Sequence, residues 1–319
     1  MEKIEIIKIA TQIIEKDLDK RIGKPFKSYK PEYGEFIKIP INDANGHTNI
    51  IVAFLALASN PLPGNPIVLF APGDNETILN YEKYHKAFCP YGCNFCVMDY
   101  RGRGFSEGSY ITYHENEVDD VLAVIRYLKA NGYDKISYFG RSRGAICGFY
   151  AITEFPDICS IALDSPALYS DDDEEEEEEN KSDTDSSDDE DDVYISKKFG
   201  ISIEEAKELL PDVYKEVAKK TGVDFSKVYV KTKKLAENIT QPIYVIHGRY
   251  DRNIPIKDSI KLMEIVKSQD KQFEPFNGNH NDGTRIFYWF EQFHFILEHF
   301  GFEMQKEEYM SKIAEDCLY

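Results

Sequence analysis

The chain has 319 residues, of which 42% are hydrophobic and 13% aromatic, so it is long and apolar enough to bury a sizeable core. It carries 57 acidic against 38 basic residues, a net charge of −19, and no basic patch stands out, so we expect no nucleic-acid partner. Six cysteines in a chain of this length do not predict a disulfide scaffold. Cys89, Cys93 and Cys96 lack a second Cys or His pair at zinc-binding spacing, so we expect no metal.

The N-terminal sequence Met-Glu-Lys, with charges interrupting every apolar stretch, is unlike a signal peptide. Apolar runs of about 18 residues, the length that a transmembrane helix needs, are absent from the sequence. Neither end carries a lipidation motif. These features predict a cytoplasmic protein with reduced thiols and no stable membrane insertion.

The first predicted element is a helix. Apolar residues recur at helical spacing over Ile4–Leu18, and we expect this amphipathic helix to pack on the core. Two extended stretches follow, Glu35–Ile41 and Thr48–Ala58, with the tight-turn signal Asn45-Gly46 between them. They predict an antiparallel hairpin.

From there the sequence alternates between short apolar runs and helical stretches. Runs that are apolar on both faces and are joined by helices are typical of a parallel sheet covered on both sides. The sequence therefore predicts an α/β fold with an eight-stranded, mostly parallel sheet flanked by helices. The further strands are Ile67–Phe70, Asn94–Tyr100, Lys135–Phe139, Ser160–Leu163, Pro242–His247 and Gln272–Phe276, and the helices are Glu82–Ala87, Glu117–Ala130, Ala145–Glu154, Lys257–Lys267 and Arg285–Phe300.

The alternation is interrupted once, between Asp164 and Gln241. The segment Asp171–Asp192 holds 16 acidic residues and one lysine, so most of the net charge belongs to it. Such a run cannot bury enough apolar surface to offset the entropy of ordering it, and we expect it to be disordered. A helical stretch, Ile203–Thr221, follows it. The predicted organisation is an N-terminal helical segment (1–34), a core (35–164 and 241–300), a lid insertion over the carboxyl ends of the strands (165–240) and a C-terminal extension (301–319).

The sequence Gly140-Arg-Ser142-Arg-Gly144 lies between a predicted strand and a predicted helix. A serine on a sharp strand-to-helix turn is held in a strained conformation with its hydroxyl exposed, and glycines on both sides allow neighbouring backbone to approach. The N-terminus of the following helix stabilises negative charge nearby. This context predicts that Ser142 is a nucleophile.

An acid and a base are needed downstream of such a serine, in that order. Asp251 closely follows the strand Pro242–His247, and His280 closely follows the strand Gln272–Phe276. Both side chains are therefore expected at the sheet edge that carries Ser142. We predict that His280 takes and returns the serine proton and that Asp251 orients the imidazole. The remaining histidines suit the role less, because they lie in a strand, on the last helix or upstream of the serine: His247, His294, His299, His47, His85 and His114.

An oxyanion hole requires two backbone N–H groups. We expect one from Arg143, the residue after the nucleophile, and the other from the loop Ala71-Pro-Gly-Asp-Asn75. Asp74 is the preferred donor, with Asn75 as the alternative. The Asp74 side chain is expected to turn away and to cap a turn or helix. The glycine-rich segment Asp99–Gly108 lacks the spacing of a dinucleotide site and is interpreted as a loop that shapes the sheet edge.

Together these motifs resemble the α/β-hydrolase superfamily. They are similar to the plant and protist hydrolases described as serine aminopeptidase-like or X-Pro dipeptidyl-peptidase-like. The likeness covers Glu35 to Phe300, although arginines flank the nucleophile where small or uncharged residues are usual. It implies that Ser142, Asp251 and His280 are catalytic. The matching motifs are Pro72-Gly73-Asp74, Asp99–Gly108, Gly140–Gly144, Gly248–Asp251 and Gly278–Asn281.

The leading hypothesis is a serine hydrolase that cleaves a small-molecule or peptide acyl substrate, an ester, thioester or amide, without a cofactor. The alternative is a catalytically weak or inactive scaffold on the same fold. Its acidic run at Asp171–Asp192 would bind a basic partner.

Overall fold

The structure is a computed structural model that describes residues 3–20, 29–42, 48–74, 76–108, 115–169, 190–221, 232–282 and 288–318. One sheet of eight strands has the order β1-β2-β4-β3-β5-β6-β7-β8. The strand β2 is antiparallel to both of its neighbours, and all pairs from β4 to β8 are parallel. The strands are β1 (Glu35–Asn42), β2 (Thr48–Ala56), β3 (Ile67–Ala71), β4 (Asn94–Met98), β5 (Ile136–Arg141), β6 (Ile161–Asp164), β7 (Ile243–Gly248) and β8 (Lys271–Phe276).

The predicted eight-stranded, mostly parallel sheet is confirmed. Every residue of β3 to β7 is buried, whereas β1 and β8 at the two edges are partly exposed. This is the reason that the inner strands read as continuous apolar runs, since a central parallel strand is covered on both faces.

Helices flank the sheet. The predicted single helix at Glu82–Ala87 is instead a series of short helical turns between Ile78 and Tyr91. The helices are α1 (Lys3–Lys20), α2 (Ile78–Tyr81), α3 (His85–Phe88), α4 (Glu115–Ala130), α5 (Arg143–Glu154), α6 (Glu190–Phe199), α7 (Ile203–Thr221), α8 (Thr232–Ala236), α9 (Ile256–Ile265), α10 (Phe290–Glu298) and α11 (Lys306–Leu318).

The core has two apolar layers, one on each face of the sheet. Alternate residues of a strand point to opposite faces, and in β3 Leu69 joins one layer while Phe70 joins the other. The first layer packs against α4, α5 and α9, and the second against the short helices after β3 and against α10 and α11. The sheet is thereby held rigidly between helices, and its carboxyl edge is left for the loops.

The expectation that the first helix packs on the main core is wrong. The helix α1 packs against α7, and Ala10 contributes to a separate cluster with Val213 of α7 and Ile195 of α6. The N-terminal helix and two helices of the insertion thus share a small core of their own. The acidic run lies outside the described residues up to position 189, and its last three residues begin α6.

The C-terminal extension carries a helix that we did not predict. Tyr309 and Ile313 of α11 are fully buried in the second layer, and the Tyr309 hydroxyl donates a hydrogen bond of 2.8 Å to the carbonyl of Ala87. The extension therefore completes the face of the sheet opposite α5.

A buried carboxyl group, Asp99, ties the loop after β4 to the segment after β3. Its Oδ1 accepts a hydrogen bond from the Ile78 N–H and its Oδ2 accepts one from the Phe105 N–H, each at 2.7 Å. Gly104 has a φ of +48°, and a Cβ there would lie 2.0 Å from Asp99 Oδ2. Burial raises the pKa of Asp99 to about 7, although the two N–H groups oppose the shift.

We predict that Asp99→Asn lowers the free energy of unfolding by about 1–3 kcal/mol at pH 5, because the amide NH2 faces one of the two N–H groups. Because the folded pKa is raised, the stability linked to the protonated Asp99 is fully present below about pH 4 and is lost as the pH rises through about 7. The difference in the free energy of unfolding between wild type and Asp99→Asn should therefore shrink between pH 5 and pH 8.

Urea unfolding at both pH values measures this difference. Asp119→Asn, at an exposed position of the helix α4, is the control and should change stability by less than about 0.5 kcal/mol. A gap between wild type and Asp99→Asn that widens with pH would contradict the assignment.

Candidate active site

The turn from β5 into α5 carries Ser142 in a strained conformation, with φ 49° and ψ −113°. Its backbone is held in place because the Ser142 N–H donates a 2.8 Å hydrogen bond to the carbonyl of Asp164, at the end of the neighbouring β6. The Gly144 N–H likewise donates to the carbonyl of Pro72. The hydroxyl of Ser142 is therefore presented at the carboxyl edge of the sheet by a turn fixed from two sides.

Close backbone contacts explain the two glycines of the motif. A Cβ at Gly144 would lie 1.9 Å from the carbonyl oxygen of Ala71, and a Cβ at Gly140 would lie 2.4 Å from the carbonyl oxygen of Gly144. Side chains at these positions would push α5 away from β3. The Gly-x-Ser-x-Gly spacing thus follows from the approach of backbone to backbone.

The structure brings Ser142, His280 and Asp251 together at hydrogen-bond distance. His280 Nε2 lies 3.0 Å from Ser142 Oγ, and His280 Nδ1 lies 2.7 Å from Asp251 Oδ2. Because a carboxylate only accepts, the Nδ1 atom carries the proton and Nε2 is left to accept one from the serine. The His280 side chain is 10% exposed and that of Asp251 is fully buried.

The carboxylate of Asp251 is surrounded by donors. Its Oδ1 accepts hydrogen bonds from the N–H groups of Asn253 and Ile254, each at 2.9 Å. Burial by itself would raise the pKa of Asp251, but the hydrogen bonds from His247, His280 and the Ile254 N–H outweigh it and hold that pKa well below its ordinary value. The group is therefore ionised at neutral pH.

His247 contacts Asp251, a role that its position inside a predicted strand does not indicate. It is fully buried, and its Nε2 lies 2.9 Å from the carbonyl of Ile254 and 3.3 Å from Asp251 Oδ2. The protonated Nε2 therefore serves both oxygens, while Nδ1 accepts from the Ser259 hydroxyl at 2.7 Å. The sequence signal was its place four residues before Asp251, at the end of the same strand.

Asp74 lies beside the turn that carries Ser142, and its side chain pairs with two arginines. Its Oδ1 lies 3.0 Å from Arg143 and 3.1 Å from Arg103, and Arg103 Nε also donates to its carbonyl at 2.8 Å. Thr77 is the N-cap of the following helix. The alternative oxyanion donor, Asn75, lies outside the described residues.

The arginines on both sides of Ser142 are buried and paired. Arg141 is 3% and Arg143 6% exposed. Arg141 pairs with Glu76, and Arg143 pairs with Asp74, with Glu117 at 3.9 Å. The charges of Arg141 and Arg143 are therefore compensated by carboxylates of the protein itself.

A small apolar cluster joins the loops that follow β5, β6 and β7. It consists of Ile146, Ala167 and Ile254, each less than 10% exposed, with Tyr169 packed against them. Ile146 lies one helical turn after Ser142, and Ile254 lies three residues after Asp251. The turns that carry Ser142 and Asp251 are thereby packed on each other.

Within the described part of the chain, no three His, Cys, Asp or Glu side chains are grouped as a metal site requires. No helix there is both long and apolar enough to cross a membrane. Two of the other histidines, His47 and His114, lie outside the described residues.

Comparison with known proteins gives one family and many structures. The family model Hydrolase_4, described as serine aminopeptidase, S33, matches residues 64–178. An esterase from Pyrococcus furiosus, Pf2001, is 17% identical with a TM-score of 0.57, and the match covers 89% of this chain and 99% of that one.

A second similar structure is α/β-hydrolase domain-containing protein 10 from mouse, at 16% identity and a TM-score of 0.51, with coverage of 82% and 95% respectively. No curated protein sequence matches this chain. The matched segment contains the Gly140–Gly144 turn, and the shared architecture extends over most of the sheet. The chain has the α/β-hydrolase fold, and its residues 64–178 are similar to the serine aminopeptidase family.

Proposed function

We propose that this protein is a serine hydrolase that cleaves a carboxylic ester, thioester or amide through an acyl-enzyme on Ser142. The observation that carries the proposal is the continuous hydrogen-bonded chain from Ser142 Oγ through His280 to Asp251, with distances of 3.0 and 2.7 Å. A serine hydroxyl is a weak nucleophile until a base at this distance takes its proton. The strained turn adds to the argument, since it presents the hydroxyl to His280.

In the proposed reaction, Ser142 Oγ attacks the carbonyl carbon of the substrate and its proton passes to His280 Nε2. The imidazolium that forms is stabilised by the ionised Asp251 at Nδ1. His280 then gives the proton to the leaving group. Water attacks the acyl-enzyme in the second half of the reaction, with His280 again taking and returning a proton.

The negative charge on the substrate oxygen needs two N–H donors. We propose the backbone N–H groups of Arg143 and Asp74, because Arg143 opens α5 beside the nucleophile and the Asp74 carboxylate is tied to the Arg143 side chain. The start of α5 also contributes the positive end of its dipole. No metal or organic cofactor has a role in this scheme.

The comparisons point to two substrate classes. The matched family model is described as an aminopeptidase, whereas one similar structure is an esterase. Both activities use the same acyl-enzyme chemistry. We propose testing esters, thioesters and aminoacyl amides side by side, because the leaving group distinguishes them while the acyl step is shared.

We predict that wild type reacts covalently with a fluorophosphonate probe and that Ser142→Ala does not. The control is Ser268→Ala, whose hydroxyl donates to the carbonyl of Asp270. Intact-mass spectrometry measures the adduct. An unlabelled but folded wild type would sink the proposal and favour the scaffold hypothesis.

We further predict that Asp251→Asn slows hydrolysis of an ester that wild type cleaves on the order of 10⁴-fold. The asparagine NH2 repels the Nδ1 proton of His280 and favours the tautomer whose Nε2 cannot accept from serine. A matched pair lies elsewhere on the surface: His299 Nε2 is 3.1 Å from Asp270 Oδ2.

Asp270→Asn is therefore the control, and its kcat should stay within about twofold of wild type, as expected for an exposed pair. Steady-state kinetics on both variants measure the effect. Equal losses in the two variants would contradict the role of Asp251.

A further inference from the structure

Arg141 ends β5 and immediately precedes Ser142. Its guanidinium is buried, and burial by itself would lower its pKa, but Glu76 and Asp164 more than compensate and raise that pKa above the ordinary value. Arg141 is therefore a permanent buried cation, and each of its contacts is a charge-assisted one.

Its first contacts are with the loop that carries the proposed base. Arg141 Nη2 donates to the backbone carbonyl of His280 at 3.0 Å and to Asn281 Oδ1 at 3.2 Å. Asp251 holds the imidazole ring at Nδ1, whereas Arg141 holds the backbone from which that ring projects. The position of His280 Nε2 relative to Ser142 depends on both.

Its second contact is with the loop after β3. Arg141 Nη1 donates to Glu76 Oε1, and Glu76 Oε2 accepts a hydrogen bond of 2.6 Å from the Gly73 N–H. Gly73 has no space for a side chain, since a Cβ would lie 2.6 Å from Glu76 Oε2 and 2.7 Å from Arg141 Nη1. The next residue is Asp74, the proposed oxyanion donor.

A second carboxylate, that of Asp164, faces the guanidinium from the side of β6. Arg141 Nε lies 3.6 Å from Asp164 Oδ2, and the same oxygen accepts a hydrogen bond from Trp289 Nε1 at 3.0 Å. The Asp164 carbonyl also accepts the Ser142 N–H. The guanidinium is thus oriented by rigid elements on both sides of β5.

We propose that Arg141 is a positioning residue that sets two loops relative to Ser142. One is the base loop, which follows β8 and carries His280, and the other is the oxyanion loop, which follows β3 and carries Asp74. This inference rests on the proposed serine hydrolase function and deepens it. A planar fork with several fixed donors is needed to serve both loops at once, and an ammonium group of equal charge cannot reproduce it. Displacing a reacting group by about 1 Å can cost on the order of 100-fold in rate.

The test is Arg141→Lys, which keeps the buried charge and loses the fork. With a fluorophosphonate probe over a range of concentrations, we expect kinact to fall about 10- to 100-fold while KI stays within about threefold of wild type. A purely structural ion pair would lower the melting temperature and leave the kinact of the folded fraction unchanged, which would overturn the inference.

Two further variants test the contacts of Arg141 to the two loops separately. They also replace Arg141→Lys if that variant does not fold. Asn281→Ala removes one contact to the base loop at an exposed position, and Glu76→Gln keeps an acceptor for Gly73 while it removes the ion pair. Each should lower kinact less than Arg141→Lys does. Wild-type kinact in both variants would overturn the inference.

The matched control is Arg126→Lys on the helix α4, where the pair with Glu154 is 55% and 52% exposed. Its kinact should equal that of wild type. A wild type that does not react at all would overturn the proposed function and this inference together. A reactive wild type with an equally reactive Arg141→Lys would overturn the inference alone.

Discussion

A buried guanidinium has to be paired, and at the carboxyl edge of this sheet that requirement draws several loops together. Arg103, Arg141 and Arg143 are each at most 6% exposed. Removing one partner of such a group leaves an uncompensated buried charge, which is strongly unfavourable. Each arginine therefore holds its carboxylates in place, and the carboxylates lie on loops that the strands alone would not fix.

The arginine pairings hold two loops at this edge, the loop after β3 and the loop after β8. Arg103 and Arg143 share the carboxylate of Asp74, and so hold the loop after β3 against the nucleophile turn. Arg141 reaches the same loop through Glu76 and the base loop through the carbonyl of His280. The arginines on both sides of Ser142 thus hold these loops together.

The sheet supplies the remaining order. Parallel strands end at the same edge, so the loops after β5, β7 and β8 meet there, and they carry Ser142, Asp251 and His280. A separate apolar cluster joins α1 to α6 and α7.

The sheet, the turn that carries Ser142 and the strand ends that carry the three side chains could all be predicted from the sequence. These features rest on local signals: apolar runs covered on both faces, glycines at a fixed spacing, and residues just past a strand.

The partners of each buried face and each buried charge could not be predicted in this way, because they depend on the folded arrangement of the chain. An amphipathic pattern shows that α1 has a face to bury, but not that the partner is α7. A basic residue beside Ser142 carries no mark of its partner, which for Arg141 is 139 residues away at His280. Periodicity and turn chemistry act over a few residues, whereas ion pairs and helix packing depend on distances that exist only after folding.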